Sequence, residues 1–316
     1  MKATSKGGAK AAGSDQELKV GKISLKLTNQ NKIYWPDEKI TKGELVNYYS
    51  EIAPVILPYL KDRPQSLHRF PNGIQAPGFY QKDVDIKIIP SWLTTEKIYS
   101  ESNKEYIDYL ICNDRATLIY MSNLGCIEVN PWNSRIKKPT KPDWLVIDLD
   151  PEAISFSEVV KVALATKKVC DKFEVDCICK TSGATGLHIY VPLAAKYEYE
   201  IARNFAHLIA QQVNSLLPGI TSLIRPPKQR QKKVYLDFLQ NSKGQTLASP
   251  YSVRPRPGAT VSTPLLWSEV NNKLDPRKFT VKTIFKRLDK TGDIWSRVNG
   301  KGADLNKAIR NSEKER

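Results

Sequence analysis

The chain has 316 residues, a hydrophobic fraction of 41% and a formal net charge of +16 at pH 7. A chain of this length can bury a substantial core and fits one large domain or two small ones. It contains no apolar run long enough for a membrane helix, and its first residues lack the apolar centre of a signal peptide, so we predict a cytoplasmic protein without a membrane partner. The charge excess indicates a polyanionic partner or a solvated tail.

The N-terminal part is predicted to begin with an unstructured stretch and to continue into a helix. Residues 1–18 are rich in Lys, Gly, Ala and Ser without periodicity, and we expect a disordered basic tail there. Apolar residues recur at helical spacing between Thr41 and Leu60, and Thr41 with Glu44 is predicted to form a capping box. Pro54 is expected to bend or break this helix late.

The rest of the chain alternates between strand-like and helical segments. Residues 65–99 are predicted to form short strands between turns, and residues 106–132 a helix or turn that leads into one or two strands. The later predictions are a strand at 145–149, a helix at 156–173, two strands around a Gly-rich turn within 176–193, a helix at 199–217 and a strand at 234–242. This mixture indicates an α/β or α+β arrangement.

Two aspartates lie two residues apart at the end of the apolar segment DWLVIDLDP, residues 143–151. Because side chains alternate between the two faces of a strand, Asp148 and Asp150 should point to the same side. Like charges at close range repel, so the pair must be hydrated, must raise the pKa of one member or must share a cation. Mg²⁺ and Mn²⁺ prefer such oxygen ligands. The alternative is that both aspartates simply end the strand in solvent.

The segment TSGATGLHIYVP, residues 181–192, is predicted to be a Gly-rich hairpin. Gly183 and Gly186 permit positive φ and a close approach of backbone N–H groups to an anion, while Ser182 and His188 add directed donors. Such a turn can hold a triphosphate. The alternative is a plain hairpin whose glycines only satisfy turn geometry.

Asp237 lies inside the apolar run VYLDFL, where a carboxylate without a partner would be costly to bury. If its strand lies beside the first, it could converge with Asp148 and Asp150 on a shared metal pair; otherwise it faces water from an edge strand. Eight basic residues lie between Arg225 and Arg256, with Asp237 as the one acid among them. Carboxylates that bind metals beside basic groups that bind phosphates are what phosphoryl transfer from a nucleotide requires.

The motifs follow the order of a known family. DWLVIDLDP, TSGATGLHIYVPL, VYLDFLQNSKGQTLASPYSVRPRPG and VSTPLLWSEV resemble those of the polymerase domain of bacterial and archaeal ligase D, in the archaeo-eukaryotic primase superfamily. The N-terminal block from LTNQNKIYWPDEKI and the segment FPNGIQAPGFYQKD are similar to that family too, so the resemblance runs from about Leu25 to Asp293. It implies an α+β fold, with a primase-like core whose RRM-like sheet carries the aspartates and an N-terminal α/β subdomain packed against it.

The resemblance also implies domain bounds and a site. The expected division is a tail at 1–18, a primase-polymerase catalytic domain at 19–298 and a basic C-terminal tail at 299–316. A two-metal site for Mn²⁺ or Mg²⁺ would be formed by the catalytic carboxylates Asp148, Asp150 and Asp237. The NTP or dNTP would be bound by Ser182, Gly183, Gly186, His188, Arg230 and Arg254. The DNA 5′-phosphate at the far side of a gap would be held by Lys32 and Lys42, and nucleic acid would stack on Phe79 and Tyr80. Since the turn has Ala184 and Thr185 where the family often has a lysine, one triphosphate contact is expected to be absent or supplied elsewhere.

The implied activity is that of a DNA repair polymerase or primase in non-homologous end joining, which adds ribo- or deoxyribonucleotides to a primer 3′-hydroxyl. The implied partners are DNA with gaps, overhangs or breaks, preferably 5′-phosphorylated, a Ku-like protein and a separate DNA ligase, at a nucleoid-associated location. A replicative or lesion-bypass primase would use the same site. A metal-dependent nuclease would not need the triphosphate hairpin, and an inactive DNA-binding module would not favour three aspartates in these settings.

Overall fold

The computed structural model of the chain describes residues 15–101, 103–230 and 232–314. These residues form fifteen strands and six α-helices. The strands are β1 (Gln16–Val20), β2 (Ile23–Leu27), β3 (Ile33–Trp35), β4 (Ile40–Thr41), β5 (Gln65–Arg69), β6 (Phe79–Gln81), β7 (Thr94–Ser100), β8 (Glu105–Ile111), β9 (Cys126–Pro131), β10 (Trp144–Pro151), β11 (Ile178–Thr181), β12 (Leu187–Pro192), β13 (Thr221–Ser222), β14 (Val234–Asp237) and β15 (Pro264–Leu265). The helices are α1 (Lys42–Leu60), α2 (Arg115–Asn123), α3 (Phe156–Lys172), α4 (Tyr199–Leu216), α5 (Ile284–Thr291) and α6 (Leu305–Lys314).

Helix α1 begins at the predicted capping box. The Thr41 hydroxyl accepts a hydrogen bond from the Glu44 backbone N–H at 3.1 Å, and the Glu44 carboxylate accepts one from the Thr41 N–H at 2.7 Å. Of the two outcomes expected at Pro54, the break is wrong, because α1 continues through Pro54 and Pro58. Both prolines lie on its exposed face, so the missing hydrogen bonds fall on the solvent side while the opposite face stays packed in the core.

Two other predicted elements differ from the observed ones. Residues 106–132 contain a strand, a helix and a strand, because β8 pairs with β7 before α2 begins at its N-cap Asp114. The strand predicted at 234–242 ends at Asp237. There the chain turns, and the Asn241 side chain replaces the backbone of β14 as the hydrogen-bonding partner of β10. It accepts from the Val146 N–H at 2.8 Å and donates to the Val146 carbonyl at 2.6 Å.

The two expected tails also differ from the structure where it describes them. Gln16–Val20 forms β1, which pairs with β2, so order begins before residue 18; residues 1–14 lie outside the described ranges. Near the other end, α6 buries Leu305 and Ala308 against the core. Where it is described, up to residue 314, the expected C-terminal tail is therefore not simply solvated, because its apolar residues anchor a helix. Among the described residues, no helix is both long and apolar enough to cross a bilayer.

A six-stranded sheet organises the second half of the chain. Its strand order is β13-β14-β10-β12-β11-β15, and all neighbours are antiparallel except β13 and β14. Strand β10 therefore lies between β14 and β12. The strand that carries Asp237 therefore lies beside the strand that carries Asp148 and Asp150. This is the first of the two arrangements that the sequence left open, in which Asp237 can converge with the other two aspartates.

The two faces of this sheet belong to different cores. Leu145, Ile147 and Leu149 of β10 pack with α3 and α4 in one hydrophobic cluster. The alternate residues Trp144 and Val146 pack in a second cluster with α1 and the rest of the N-terminal half. Because Asp148 and Asp150 follow the same alternation, their face is the one turned toward the N-terminal half. The two aspartates therefore face a cleft between the N-terminal half and the end of the sheet.

Candidate active site

A single row of polar residues crosses four neighbouring strands on this face. Asp148 of β10 lies directly opposite Asp237 of β14 and directly opposite His188 of β12. His188 in turn lies opposite Lys180 of β11. Directly opposed residues of antiparallel strands point to the same face, so the row brings together a carboxylate pair, an imidazole and an amine. Asp150 lies two residues further along β10, on the same face as Asp148.

Asp148 is the most perturbed carboxylate of this row. Its side chain is 16% exposed, and its Oδ1 lies 3.4 Å from His188 Nε2. Burial is the main cause that raises the pKa of Asp148 to about 7, and the charges of Asp150 and Asp237 add to the shift. Asp150 and Asp237 are therefore close enough to disfavour the ionised form of Asp148.

The partners of the other two carboxylates are cationic or neutral donors. Asp150 forms an ion pair with Arg230, whose Nη1 lies 2.6 Å from its Oδ2. Asp237 accepts hydrogen bonds from the Leu239 N–H and the Gln240 side-chain amide, each at 2.9 Å. Gln240 was not identified from the sequence. These contacts hold both carboxylates in fixed directions at the edge of the cleft.

The carboxylate set suits a hard divalent cation. Carboxylate oxygens are the preferred ligands of Mg²⁺ and Mn²⁺. A cation would relieve the repulsion from Asp150 and Asp237, which adds to the effect of burial on the pKa of Asp148. Within the described parts of the chain, no three His, Cys, Asp or Glu side chains already stand arranged as a metal-ligand cluster. Binding would require Asp150 and Asp237 to share or give up the contacts with Arg230 and Gln240.

Lys180 was missed in the sequence and is fully buried beneath the site. Its amine lies 2.9 Å from His188 Nδ1 and donates to the Ala248 carbonyl at 2.9 Å and to the Ser262 hydroxyl at 2.6 Å. Burial lowers the pKa of Lys180 and that of His188. A lysine inside the apolar run CICKT is the same kind of signal as Asp237 inside VYLDFL, and it could have been used.

The Gly-rich hairpin is held closed by its own serine. The Ser182 hydroxyl accepts hydrogen bonds from the N–H groups of Ala184 and Gly186, each at 3.0 Å. Gly183 has a φ of +73°, and a Cβ on it would lie 2.6 Å from Cγ of Arg254. The glycines thus permit close packing within the protein; whether the turn also binds an anion stays a prediction.

Gly186→Ala is expected to destabilise the fold by about 1–3 kcal/mol, as overpacking does in a close-packed interior. A Cβ at this position would lie 2.2 Å from the Leu149 carbonyl oxygen, which is backbone of β10 and cannot move aside. Urea denaturation of both proteins measures the difference. The matched control is Gly219→Ala, because a Cβ there meets nothing within 4 Å. Equal midpoints for wild type and Gly186→Ala would contradict the expectation.

Arg254 connects the hairpin to the N-terminal half. Its Nη1 donates to the Ser182 carbonyl, and its Nε lies 2.9 Å from Oε2 of Glu128 on β9. Burial acts to raise the pKa of Glu128, but the charge of Arg254 and the contact with His68 outweigh it, so that the pKa is lowered. Glu128, inside the apolar run CIEV, is a second buried charge that the sequence analysis missed.

The cleft has a volume of about 300 Å³ and is walled by both halves of the chain. Of the predicted residues, its lining includes Asp148, Asp150, Ser182, Gly186, His188, Arg254 and Tyr80. Thr185, Glu128, Gln240 and Arg256 line it as well. Asp237, Gly183 and Arg230 are not among these residues. Asp237 lies beside Asp148 in the sheet, and Arg230 reaches the site through Asp150. Arg256 is a basic group in the cleft that the site prediction did not include.

The predicted 5′-phosphate lysines lie together at a separate place. The Lys42 N–H donates to the Lys32 carbonyl at 2.8 Å, and the Lys42 amine, which is buried, donates to the Thr28 carbonyl at 2.6 Å. Burial, followed by the charge of Lys32, lowers the pKa of Lys42 to about 8. The Lys32 amine contacts the Asn72 side chain.

The two predicted stacking rings point to different surfaces. Tyr80 lies opposite His68 and lines the cleft, while Phe79, its neighbour on β6, lies opposite Arg69, whose guanidinium is 5.3 Å from the Phe79 ring centre. Both rings are about half exposed. Arg69 is also among the charges that act on Lys42. Phe79 therefore belongs with the basic group around Lys42, and Tyr80 with the carboxylates.

Comparison with known proteins gives a consistent result. The family profile described as "LigD, primase-polymerase domain" matches residues 41–295. The bifunctional non-homologous end joining protein LigD of Bacillus subtilis is 33% identical over 270 residues, which cover 85% of this chain and 43% of that protein. The multifunctional non-homologous end joining protein LigD of Mycolicibacterium smegmatis is 31% identical over 275 residues, which cover 85% of this chain and 35% of that protein. The chain thus spans less than half the length of these curated relatives.

A solved structure shares the fold. The polymerase domain of Mycobacterium tuberculosis ligase D, determined in complex with DNA, superposes with a TM-score of 0.81 at 27% sequence identity. The match covers 88% of this chain and 99% of that domain. The α+β primase-like architecture implied by the sequence motifs is confirmed by this similarity.

Proposed function

Because the chain belongs to the family of LigD primase-polymerase domains, we propose that it is a metal-dependent nucleotidyl transferase that extends primer 3′-hydroxyls at gaps and double-strand break ends. The observation that carries the proposal is the row Asp237–Asp148–His188. Asp148 and His188 of this row line a cleft that Arg254 and the hairpin line as well. Carboxylates on one side and phosphate-binding groups on the other are the two requirements of nucleotidyl transfer.

The carboxylates would hold the metal and the reacting groups. Asp148, Asp150 and Asp237 would bind Mn²⁺ or Mg²⁺, which in such sites stabilises the charge that develops on the transferred phosphoryl group. Arg230 compensates the charge of Asp150 from outside the cleft, and Gln240 keeps the Asp237 carboxylate turned to one side. These contacts hold two of the three carboxylates in place, and a bound cation would share or displace them.

The basic wall would hold the triphosphate. If the Lys180 amine donates to Nδ1, His188 carries its proton on Nε2, which is the nitrogen that faces the cleft. It can then donate to a non-bridging phosphate oxygen. Arg254 and Arg256 line the same cleft and would bind further phosphate oxygens. They would supply cationic contacts beside a turn that has Ala184 and Thr185 where the family often has a lysine.

The test is extension of a labelled primer on gapped, 5′-phosphorylated duplex DNA, with Mn²⁺ or Mg²⁺ and either NTPs or dNTPs. The proposal expects template-directed extension, and the same gel reads the sugar preference. Shortening of the labelled strand would favour the nuclease, and new strands from unprimed template would favour a primase role. DNA binding without any product would indicate that the protein is a DNA-binding module and not an enzyme. Pull-down with a Ku-like protein and ligation by a separate ligase test the proposed partners.

The group Lys32, Lys42, Arg69 and Phe79 is proposed to bind the DNA 5′-phosphate and the base beside it. Because the pKa of Lys42 is lowered to about 8, its amine is protonated at pH 7 and largely neutral at pH 9.5. DNA with a 5′-phosphate should therefore bind more tightly than DNA without one at pH 7, and this gain in affinity should fall as pH rises through about 8. The expected fall is about tenfold if one charge-assisted contact is lost.

Fluorescence anisotropy with gapped DNA, with and without the 5′-phosphate, measures this gain at the two pH values. For Lys42→Met, the 5′-phosphate should add little affinity at either pH. Lys290→Met, at an exposed position of α5, is the matched control and should behave as wild type. A wild-type gain that is the same at pH 7 and pH 9.5 would contradict the assignment of Lys42.

A further inference from the structure

The three-stranded sheet β6-β5-β9 carries a second row of polar and aromatic residues beside the cleft. His68 of β5 lies directly opposite Tyr80 of β6 on one side and directly opposite Glu128 of β9 on the other. All three side chains therefore share one face. Tyr80 and Glu128 at the two ends of the row line the cleft. His68, between them, is mostly buried, with 17% of its side chain exposed.

The imidazole of His68 forms the support of the Tyr80 ring. The two rings are stacked, with centroids 4.1 Å apart and planes inclined by 11°. His68 also packs against Phe70, at a centroid distance of 4.6 Å. Tyr80 is 57% exposed and lies on a three-residue edge strand, so few other contacts restrict its rotamer. The stack on His68 thus sets the direction of the ring.

The same imidazole reaches Arg254 through one carboxylate oxygen. His68 Nδ1 lies 3.3 Å from Oε2 of Glu128, and this oxygen also accepts the hydrogen bond from Arg254 Nε at 2.9 Å. The Glu128 side chain is 4% exposed, so the contact is sheltered from water. Arg69, the next residue of β5, points to the other face and does not share this contact.

We propose that His68 is a positioning residue for the incoming nucleotide. It holds the Tyr80 ring for the base and, through Glu128, holds Arg254 for the phosphates. Both contacts come from one rigid ring, so the base end and the phosphate end of the cleft are set relative to each other. This inference rests on the proposed function, since it requires a nucleotide in the cleft.

Two substitutions remove one contact each. His68→Phe keeps a flat ring for the stack and removes Nδ1, whereas His68→Gln keeps a donor for Glu128 and removes the ring. Each is expected to raise the nucleotide KM in primer extension about 2- to 10-fold, the range of one aromatic or hydrogen-bonded contact. The kcat and the KM for DNA should stay at wild-type values. His207→Phe is the matched control, because His207 is stacked on Phe238 in the same manner, at 4.2 Å, and does not line the cleft.

A rise in the nucleotide KM that His207→Phe does not share supports the proposal. An unchanged nucleotide KM in both His68 variants would overturn the proposal. An equal rise in the KM for DNA, together with a lower melting temperature, would overturn it as well, because it would indicate a general defect of the fold. The link through Glu128 has its own test: in a Glu128→Gln background, His68→Phe should add less than about twofold, because contacting residues are non-additive. Full additivity would refute the link. If wild type itself neither binds nor incorporates nucleotides, the proposed function fails first, and this inference fails with it.

Discussion

Asp148→Asn is expected to lower kcat for primer extension by at least about 10³-fold, because it removes a negative ligand from a site where a metal contributes several kcal/mol to transition-state stabilisation. The substitution preserves the size of the side chain. Asp148 lies at the centre of the row, opposite both Asp237 and His188, so no other described carboxylate occupies its place. DNA affinity should remain, since the basic groups are unchanged.

The same substitution should stabilise the metal-free protein. The pKa of Asp148 is raised to about 7, so the folded state binds the proton more tightly than the unfolded chain does. Its ionised form therefore destabilises the fold progressively as pH rises from about 4 to about 7 and fully above that. The amide that Asp148→Asn introduces never ionises, so the variant should melt at a higher temperature than wild type at pH 8, with a smaller difference at pH 5.

Thermal denaturation with and without Mn²⁺ measures both effects. Added Mn²⁺ should raise the melting temperature of wild type, because a ligand that binds only the folded state stabilises it, and should raise that of Asp148→Asn much less. Asp289→Asn, at an exposed position of α5, is the control and should respond as wild type. A variant that still extends primers would show that Asp148 is no metal ligand.

Lys180→Met is expected to reduce kcat about 10- to 100-fold, the usual effect of removing a group that orients a ligand in a site. Without the amine, the His188 Nδ1 loses its partner, and the ring is free to carry its proton on that nitrogen. Nε2 would then be an acceptor directed at Asp148 and the phosphates. Ala248 and Ser262 lose a donor as well. Because this carbonyl and this hydroxyl are buried, a loss of stability should accompany the loss of rate.

Comparison of rate and stability separates the two roles of Lys180. Single-turnover extension at saturating nucleotide measures the chemical step, and urea denaturation measures the fold. Lys290→Met serves again as the exposed control. If Lys180→Met unfolds more easily but extends primers at the wild-type rate under native conditions, Lys180 only fills space, and the orientation of His188 does not depend on it.

Local patterns in the sequence were sufficient for the elements and for part of the site. The period-2 alternation placed Asp148 and Asp150 on one face, and the capping box at Thr41 located the start of α1. The relation of Asp237 to them was left open, because it depends on which strand pairs with β10. That pairing is set by burial on both faces of the sheet, which a single sequence does not display.

Two of the residues that were missed share one property. Lys180 and Glu128 are buried charges within apolar strands, and each has partners that lie far away in the chain: Ala248 and Ser262 for Lys180, Arg254 for Glu128. In isolation such residues are interpreted as exposed, since an unpaired charge is too costly to bury. Only the fold supplies the partners. At Pro54 the local signal was misleading in the other direction. Proline disfavours a continuing helix, but α1 continues through it because the opposite face of the helix is packed in the core.

The shared six-stranded sheet has a consequence for how this chain can be cut and recombined. Trp144, Val146 and Tyr190 on one of its faces are covered by the N-terminal half. A fragment that starts at β10 would expose this apolar face and would be prone to aggregate, and the N-terminal fragment would lose the same cover. We therefore expect neither half to serve as an independent module. Grafting the aspartates onto another protein would require transfer of both layers, and split-protein reporters would need their break outside the segment from α1 to β14.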